Sequence, residues 1–154
     1  MSEADFAILV MGAARAVADR LDSAVERAGV DGMRPSFGFV IRALAERDRR
    51  LTELAELLAV TKQAAIKVVD EMERQGFVER VADPDDRRAK MLRLTPKGRQ
   101  VRRAALAASR RMEAELRRDV GDETTAALRT ALLAFLERHG ALADAAAGRA
   151  RALW

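Results

Sequence analysis

The stretch from Thr52 to Leu94 constrains the fold most. It holds two helix-like segments separated only by Ala59-Val60, then two alternating segments around an acidic turn. Thr52 stands where a cap belongs for a short helix over 53–58, with Glu53 at the positive end of its dipole. Thr61 does the same for a longer helix over 62–75, and Gly76 follows where a glycine stop belongs. In that helix Ala65, Val68, Val69 and Met72 recur at helical spacing and predict an inward stripe. Leu54, Leu57 and Leu58 join them as expected core. Residues 77–81 then alternate, Asp83-Pro84-Asp85-Asp86 is a turn cluster, and residues 90–94 alternate again.

Two helices joined by a turn of about three to four residues, followed by a hairpin, make a winged helix-turn-helix. In that arrangement the first helix braces the second. The second offers its N-terminal turn to base edges in the DNA major groove, and the hairpin tip reaches the backbone or the adjacent minor groove. Charge placement agrees. Between Arg87 and Arg111 there are ten basic residues and no acidic one, a pattern that fits a phosphate-binding surface. A solvated helix face is the alternative, strongest for Arg110 and Arg111.

Helices flank this unit. Phe6, Leu9, Val10, Ala13, Val17, Leu21, Ala24 and Ala28 mark one face of a long first helix that ends near Gly29, with Gly32 in the same loop. Pro35 opens a second helix running to about Glu46, and Asp48-Arg49-Arg50 breaks it. Thr95-Pro96 caps and opens a long helix with Val101, Ala105, Ala108, Met112 and Leu116 on its face. Gly121-Asp122 ends that helix. A last one carries Leu128, Leu132, Phe135 and Leu136 to His139-Gly140, and the tail over 141–154 is alanine-rich. The expected fold is therefore mainly α with a small β-hairpin wing.

Composition removes other classes. A chain of 154 residues is expected to be one domain, or one domain plus helical appendages, and 49% hydrophobic with 34% charged predicts a soluble globular protein. Cysteine is absent, so disulfides, thiolate metal sites and a cysteine switch are excluded. One histidine, His139, leaves no histidine-rich metal site, and at a helix end its cation suits the dipole. No nucleophile–base pair, metal spacing or glycine-rich phosphate loop is present, so neither an enzyme nor a cofactor is expected. No apolar run is long enough to span a bilayer, and a cytoplasmic location without membrane contact is the expectation.

Residues 51–62, 69–80, 83–90 and 94–98 together resemble the MarR family of bacterial transcription regulators. The most specific part is Asp83-x-Asp85-Asp86-Arg87-Arg88-Ala89 followed by Leu94-Thr95-x-x-Gly98. The likeness runs over 33–101, and the flanking helices match in layout only. It implies a homodimer with interlocked terminal helices, a palindromic double-stranded DNA operator, usual action as a repressor, and release by a small, often aromatic, effector. The implied division is 1–32 for an N-terminal dimerisation helix, 33–95 for DNA binding, 96–140 for C-terminal dimerisation helices, and 141–154 for the tail.

Site residues follow. Gln63 is the first base-reading candidate, because its amide can bond adenine N6 and N7 together. Lys62 and Lys67 are candidates for phosphate or guanine, and the Thr61 hydroxyl for a phosphate as well as the cap. Ala64 and Ile66 are placed to touch a thymine methyl, with partial core the other reading of Ile66. On the wing, Lys90 joins the DNA set. Asp86 shapes the tip, and Arg87 or Arg88 enters the minor groove, as the resemblance implies. Narrow A·T-rich grooves favour arginine there. Gly38 stands where many relatives of that family carry a bulky aromatic. An effector cavity beside Gly38 and Phe37, floored by Met11 and Arg15, is one reading, and close helix packing at Gly38 the other. Trp154 either anchors a partner subunit or is exposed. Two further functions share the fold: an effector-independent architectural DNA binder, and a protein-interaction module.

Overall fold

The computed structural model describes residues 5–86 and 88–140. Five helices and three strands follow in order: α1 (Phe6–Arg27), α2 (Pro35–Glu46), β1 (Arg49–Arg50), α3 (Leu51–Leu57), α4 (Lys62–Arg74), β2 (Val78–Ala82), β3 (Lys90–Leu94) and α5 (Pro96–Arg138). The strands form one antiparallel sheet in the order β1-β3-β2. The fold is mainly helical with a winged helix-turn-helix at its centre. Among the described residues no helix is long and apolar enough to cross a membrane.

Local chemistry fixes the boundaries. Asp5 caps α1 by accepting the Ala7 N–H at 2.9 Å. Pro35 occupies the first turn of α2, where its missing N–H costs nothing. Thr61 Oγ1 accepts the Ala64 N–H at 3.1 Å, and Thr95 Oγ1 accepts that of Gly98 at 3.2 Å, so two threonines open α4 and α5. Gly76 follows the C-cap of α4 with φ 77°, a left-handed conformation natural to glycine. At Gly121, φ 85° and ψ 165° interrupt α5, so the expected break is a kink within one long element.

Several expectations need correction. Thr52 does not cap α3; the helix begins two residues earlier, at Leu51, and Arg50 holds the cap position. The Arg50 N–H is instead accepted by Glu53 at 2.9 Å, one helical turn ahead. The segment read as a break, Asp48-Arg49-Arg50, contains the short strand β1, with Arg49 opposite Leu92 and Arg50 opposite Met91. Two residues are too few to show alternation, so the pairing comes from the third strand beside it. Strand β2 is shifted by one residue, and Phe77 precedes it as core.

The core lies where α2, α4, the sheet and the first turns of α5 meet. Phe37, Val40, Leu54, Val69, Met72, Phe77, Val78 and Leu92 are fully enclosed. Phe37 and Phe77 meet edge-on, centroids 5.5 Å apart. Val68, Leu57 and Leu58, expected inside, are only partly buried against this cluster. Gly98 is pressed against the backbone carbonyl of Phe77, with Leu94 Cδ2 3.1 Å from where a Cβ would stand. Beside it Thr95 Oγ1 donates to the Gly76 carbonyl at 2.5 Å, and Lys97 Nζ donates to the Gln75 carbonyl at 3.0 Å. The exit of α4 and the entry of α5 are thereby fastened at one point.

The two ends of the chain behave differently. Of α1 only Val25 is buried, a residue outside the face read from spacing. Phe6, Leu9, Val10 and Val17 on that face are exposed, as are Leu128, Leu132 and Phe135 near the end of α5. Phe6 is 68% exposed and Phe135 48%, although their rings lie 6.3 Å apart. Apolar side chains at helical spacing left in water are the usual sign of a surface meant for a partner.

Candidate nucleic-acid interface

A tight turn sets α4 against α3. Ala59 adopts φ 52°, unusual for a residue with a Cβ, and its N–H reaches the Glu56 carbonyl at 3.0 Å. Val60 N–H reaches the Ala55 carbonyl at the same distance. Alanine carries no sequence signal for this conformation. The turn leaves the first turns of α4 clear: Thr61, Lys62, Gln63, Ala64 and Lys67 are exposed, and Ile66 is half-buried. Lys62, Gln63 and Lys67 have no side-chain hydrogen bond or ion pair among the described residues. The distal half of α4 is occupied. Asp70 pairs with Arg80 of β2 at 2.6 Å, and Glu73 contacts the same guanidinium. The helix is thus locked to the sheet at one end and bare at the other.

The wing tip is built by its aspartates. Asp86 Oδ1 accepts the Arg88 N–H at 3.0 Å, an Asx turn, and the Asp86 carbonyl accepts the Ala89 N–H at 2.9 Å. Asp83 is only 4% exposed. Its carboxylate accepts the Asp85 N–H at 2.9 Å and the Arg50 guanidinium at 2.6 Å. Arg50 and Asp83 are 33 residues apart, so no local pattern could reveal the link. Arg88 and Lys90 are exposed. Arg87, named above as a minor-groove candidate, and Trp154 lie outside the described residues.

The Arg50 guanidinium holds the Asp83 carboxyl below the ordinary carboxylate range, helped by the Asp85 N–H. A depressed native pKa contributes stability that is complete above the unfolded value, about 3.9, and is lost as pH falls through the native one. The wing tip should therefore hold at neutral pH and loosen only in acid. The Asp85 amide, followed by NMR, is expected to titrate with a midpoint below the usual aspartate value, and Arg50→Ala to raise that midpoint. An unshifted midpoint in the wild type would contradict the link.

The one-signed basic stretch is not uniformly free. Arg93 makes two bonds to Asp48, at 2.8 and 2.6 Å. Lys97 is bonded to Gln75 and lies 4.2 Å from the Phe77 ring centroid. Arg99 donates to the Leu94 carbonyl. These side chains fasten the sheet and α5, and the sequence alone could not separate them from the rest. Among the effector candidates, Phe37 is 1% exposed and faces the core. Gly38 is half-buried, with Met33 Cε 3.8 Å from where a Cβ would stand. Met11 is exposed, and Arg15 pairs along α1 with Asp19 at 3.0 Å.

This helix, turn, helix and aspartate-built wing also match in sequence: residues 35–89 fit the profile of the MarR family. Over this segment the chain is similar to the MarR family. No curated protein sequence matches the chain. Solved structures match over nearly all of its length. The transcriptional repressor CouR, bound to a 23-mer DNA duplex, is 26% identical over 85% of this chain and 92% of its own, with a TM-score of 0.63. RV1404 from Mycobacterium tuberculosis has a TM-score of 0.70 at 23% identity, over 89% of this chain and 96% of its own. A MarR-family transcriptional regulator from Rhodococcus sp. RHA1 has 0.59 at 23%, over 87% and 96%. CouR and the Rhodococcus protein are transcriptional regulators, and this chain shares their fold.

Proposed function

We propose that the chain is a homodimeric transcription repressor that binds a palindromic operator. The observation that carries this reading is the division of α4: Lys62, Gln63 and Lys67 at its start, exposed and without partners among the described residues, and an end locked to β2 by Asp70 and Arg80. A reading head needs free donors on a rigid mount. The DNA complex of CouR supports the same use of the fold.

In this reading residues 33–95 bind DNA, and residues 1–32 and 96–140 form the dimer. Gln63 reads a base edge. Lys62 and Lys67 meet phosphate or guanine, and Thr61 a phosphate. Ala64 and Ile66 approach a thymine methyl. Arg87 or Arg88 enters the minor groove, Lys90 meets the backbone, and Asp86 holds the tip. The two α4 helices would sit about 34 Å apart, one turn of duplex.

The test is selection of genomic fragments by the purified protein, followed by fluorescence anisotropy at two salt concentrations. One palindromic site bound far above random DNA is the expected result. Equal, steeply salt-dependent binding to all fragments would instead make the chain an architectural binder. On the selected site, Gln63→Ala is expected to lose preference at one base step, about 1–3 kcal/mol. Arg88→Ala is expected to weaken every sequence and lower the log–log salt slope by about 0.9. Equal weakening of all sequences by both variants would overturn the division of roles.

Release by a small aromatic effector belongs to this reading through the resemblance. It is tested by a thermal-shift screen of aromatic acids. A hit that dissociates the operator complex and is lost in Gly38→Phe is expected. No hit, with operator release unchanged in that variant, would remove the effector and the pocket of Met11, Arg15, Phe37 and Gly38 from the proposal.

A further inference from the structure

The loop over residues 28–34 leaves α1 and enters α2, and side chains of both α4 and α5 hold it. Gln100 of α5 donates to the Ala28 carbonyl at 2.7 Å. At the other end Arg34, at the cap position of α2, pairs with Glu71 of α4 at 3.3 Å. The Glu71 side chain is 14% exposed, and it also takes Arg74 and the Gln75 amide, both on its own helix. Of its described partners, Arg34 is the one from outside α4. A carboxylate so covered from water depends on these donors, and the loss of one is felt. Between the two ends of the loop, Gly32 adopts φ 81°, and the side-chain oxygen of Gln75 fills the place where its Cβ would stand. Glycine lets the loop take this conformation and pass this close. The clasp is thus both ionic and steric, and a shifted loop would break both contacts.

Asp70, Glu73 and Arg80 hold α4 to β2, inside the winged helix. The clasp does something else: it joins α4 to the exit of α1, whose outer face is exposed along Phe6, Leu9, Val10 and Val17. We propose that Glu71 is a positioning residue. By clasping the loop it fixes the angle of α4 to α1, and so the spacing at which two copies of the chain read DNA. The inference rests on the dimeric operator reading, in which Glu71 itself touches neither base nor phosphate. The reading turn at Thr61 lies about 15 Å away along the same helix. A tilt released at the clasped end is carried to that turn, because the helix between them is one rigid element.

The test compares wild type with Glu71→Gln, Arg34→Met and the double variant, each shown by circular dichroism to be folded. The probes are the selected palindromic duplex, the same duplex with one base pair inserted or removed between the half-sites, and a duplex carrying a single half-site. Wild type is expected to prefer the native spacing. Each single variant is expected to lower that preference by about threefold or more with half-site affinity unchanged. The double variant is expected to go no further than the larger single effect, as for two residues acting through one contact. Equal weakening on all probes would reduce Glu71 to a structural residue and overturn the proposal, as would an unchanged spacing preference. Hydrogen exchange on DNA-free protein decides the clasp apart from the operator. Glu71→Gln is expected to speed amide exchange over residues 28–34 while residues 62–67 keep the wild-type rates. Unchanged exchange in the loop would overturn the clasp. A loosened loop in the variant, with no palindrome bound by wild type, would instead mean that the operator reading fails and takes the spacing role with it.

Discussion

Phe77→Ala is expected to destabilise the chain by about 3–5 kcal/mol, the range for deleting a fully enclosed aromatic. Phe77 is inaccessible, meets Phe37 edge-on, and lies beneath the Lys97 ammonium. Its backbone also seats Gly98 and accepts the Thr95 N–H at 3.1 Å. Truncation leaves a cavity where α2, the sheet and α5 converge, and the backbone bonds prevent its collapse. For a chain of this size the melting temperature should fall by about 6–20 °C. Urea unfolding of wild type and variant measures the difference directly. A loss near 1 kcal/mol would mean that neighbouring side chains refill the space.

Leu132→Glu/Phe135→Glu is expected to have the largest effect on DNA binding without touching the reading head. Both side chains are exposed in the single chain, at 47% and 48%. In the proposed dimer they meet the partner, and burying two carboxylates there without cations is prohibitive. The variant should sediment as a monomer with its winged helix folded. Operator affinity should fall by about 10²–10⁴, the advantage that linking two half-site readers confers. A variant that stays dimeric, or a monomer with undiminished operator affinity, would contradict the assignment of this face.

Local signals were legible in the sequence, and distant ones were not. Thr61, Pro35, Thr95 and Gly76 mark helix ends because capping depends on neighbours within a turn. The hairpin was legible through alternation and its aspartate turn. Strand β1 was not, since two residues carry no period. The Arg50–Asp83 and Arg93–Asp48 pairs span 33 and 45 residues and exist only once the sheet has formed. The same blindness makes the basic stretch look uniform in sequence: nothing there separates Lys97 and Arg99, which bond to backbone carbonyls, from the rest. The exposed residues of α4 could be named from position, because the cap at Thr61 fixes which turn comes first.

The notch at Gly98 has a mechanical meaning. With the Phe77 carbonyl set into the helix and Thr95 and Lys97 bonded to the last residues of α4, the root of α5 has no room to pivot. The reading head and the long helix therefore turn as one piece, like a blade and its handle. In a dimer joined through the far ends of the handles, a small change in the angle between them is magnified at the blades. In the proposed dimer the distance between the two N-terminal turns of α4 would then be set far from DNA, beyond the bend at Gly121, without any rearrangement inside the winged helix itself.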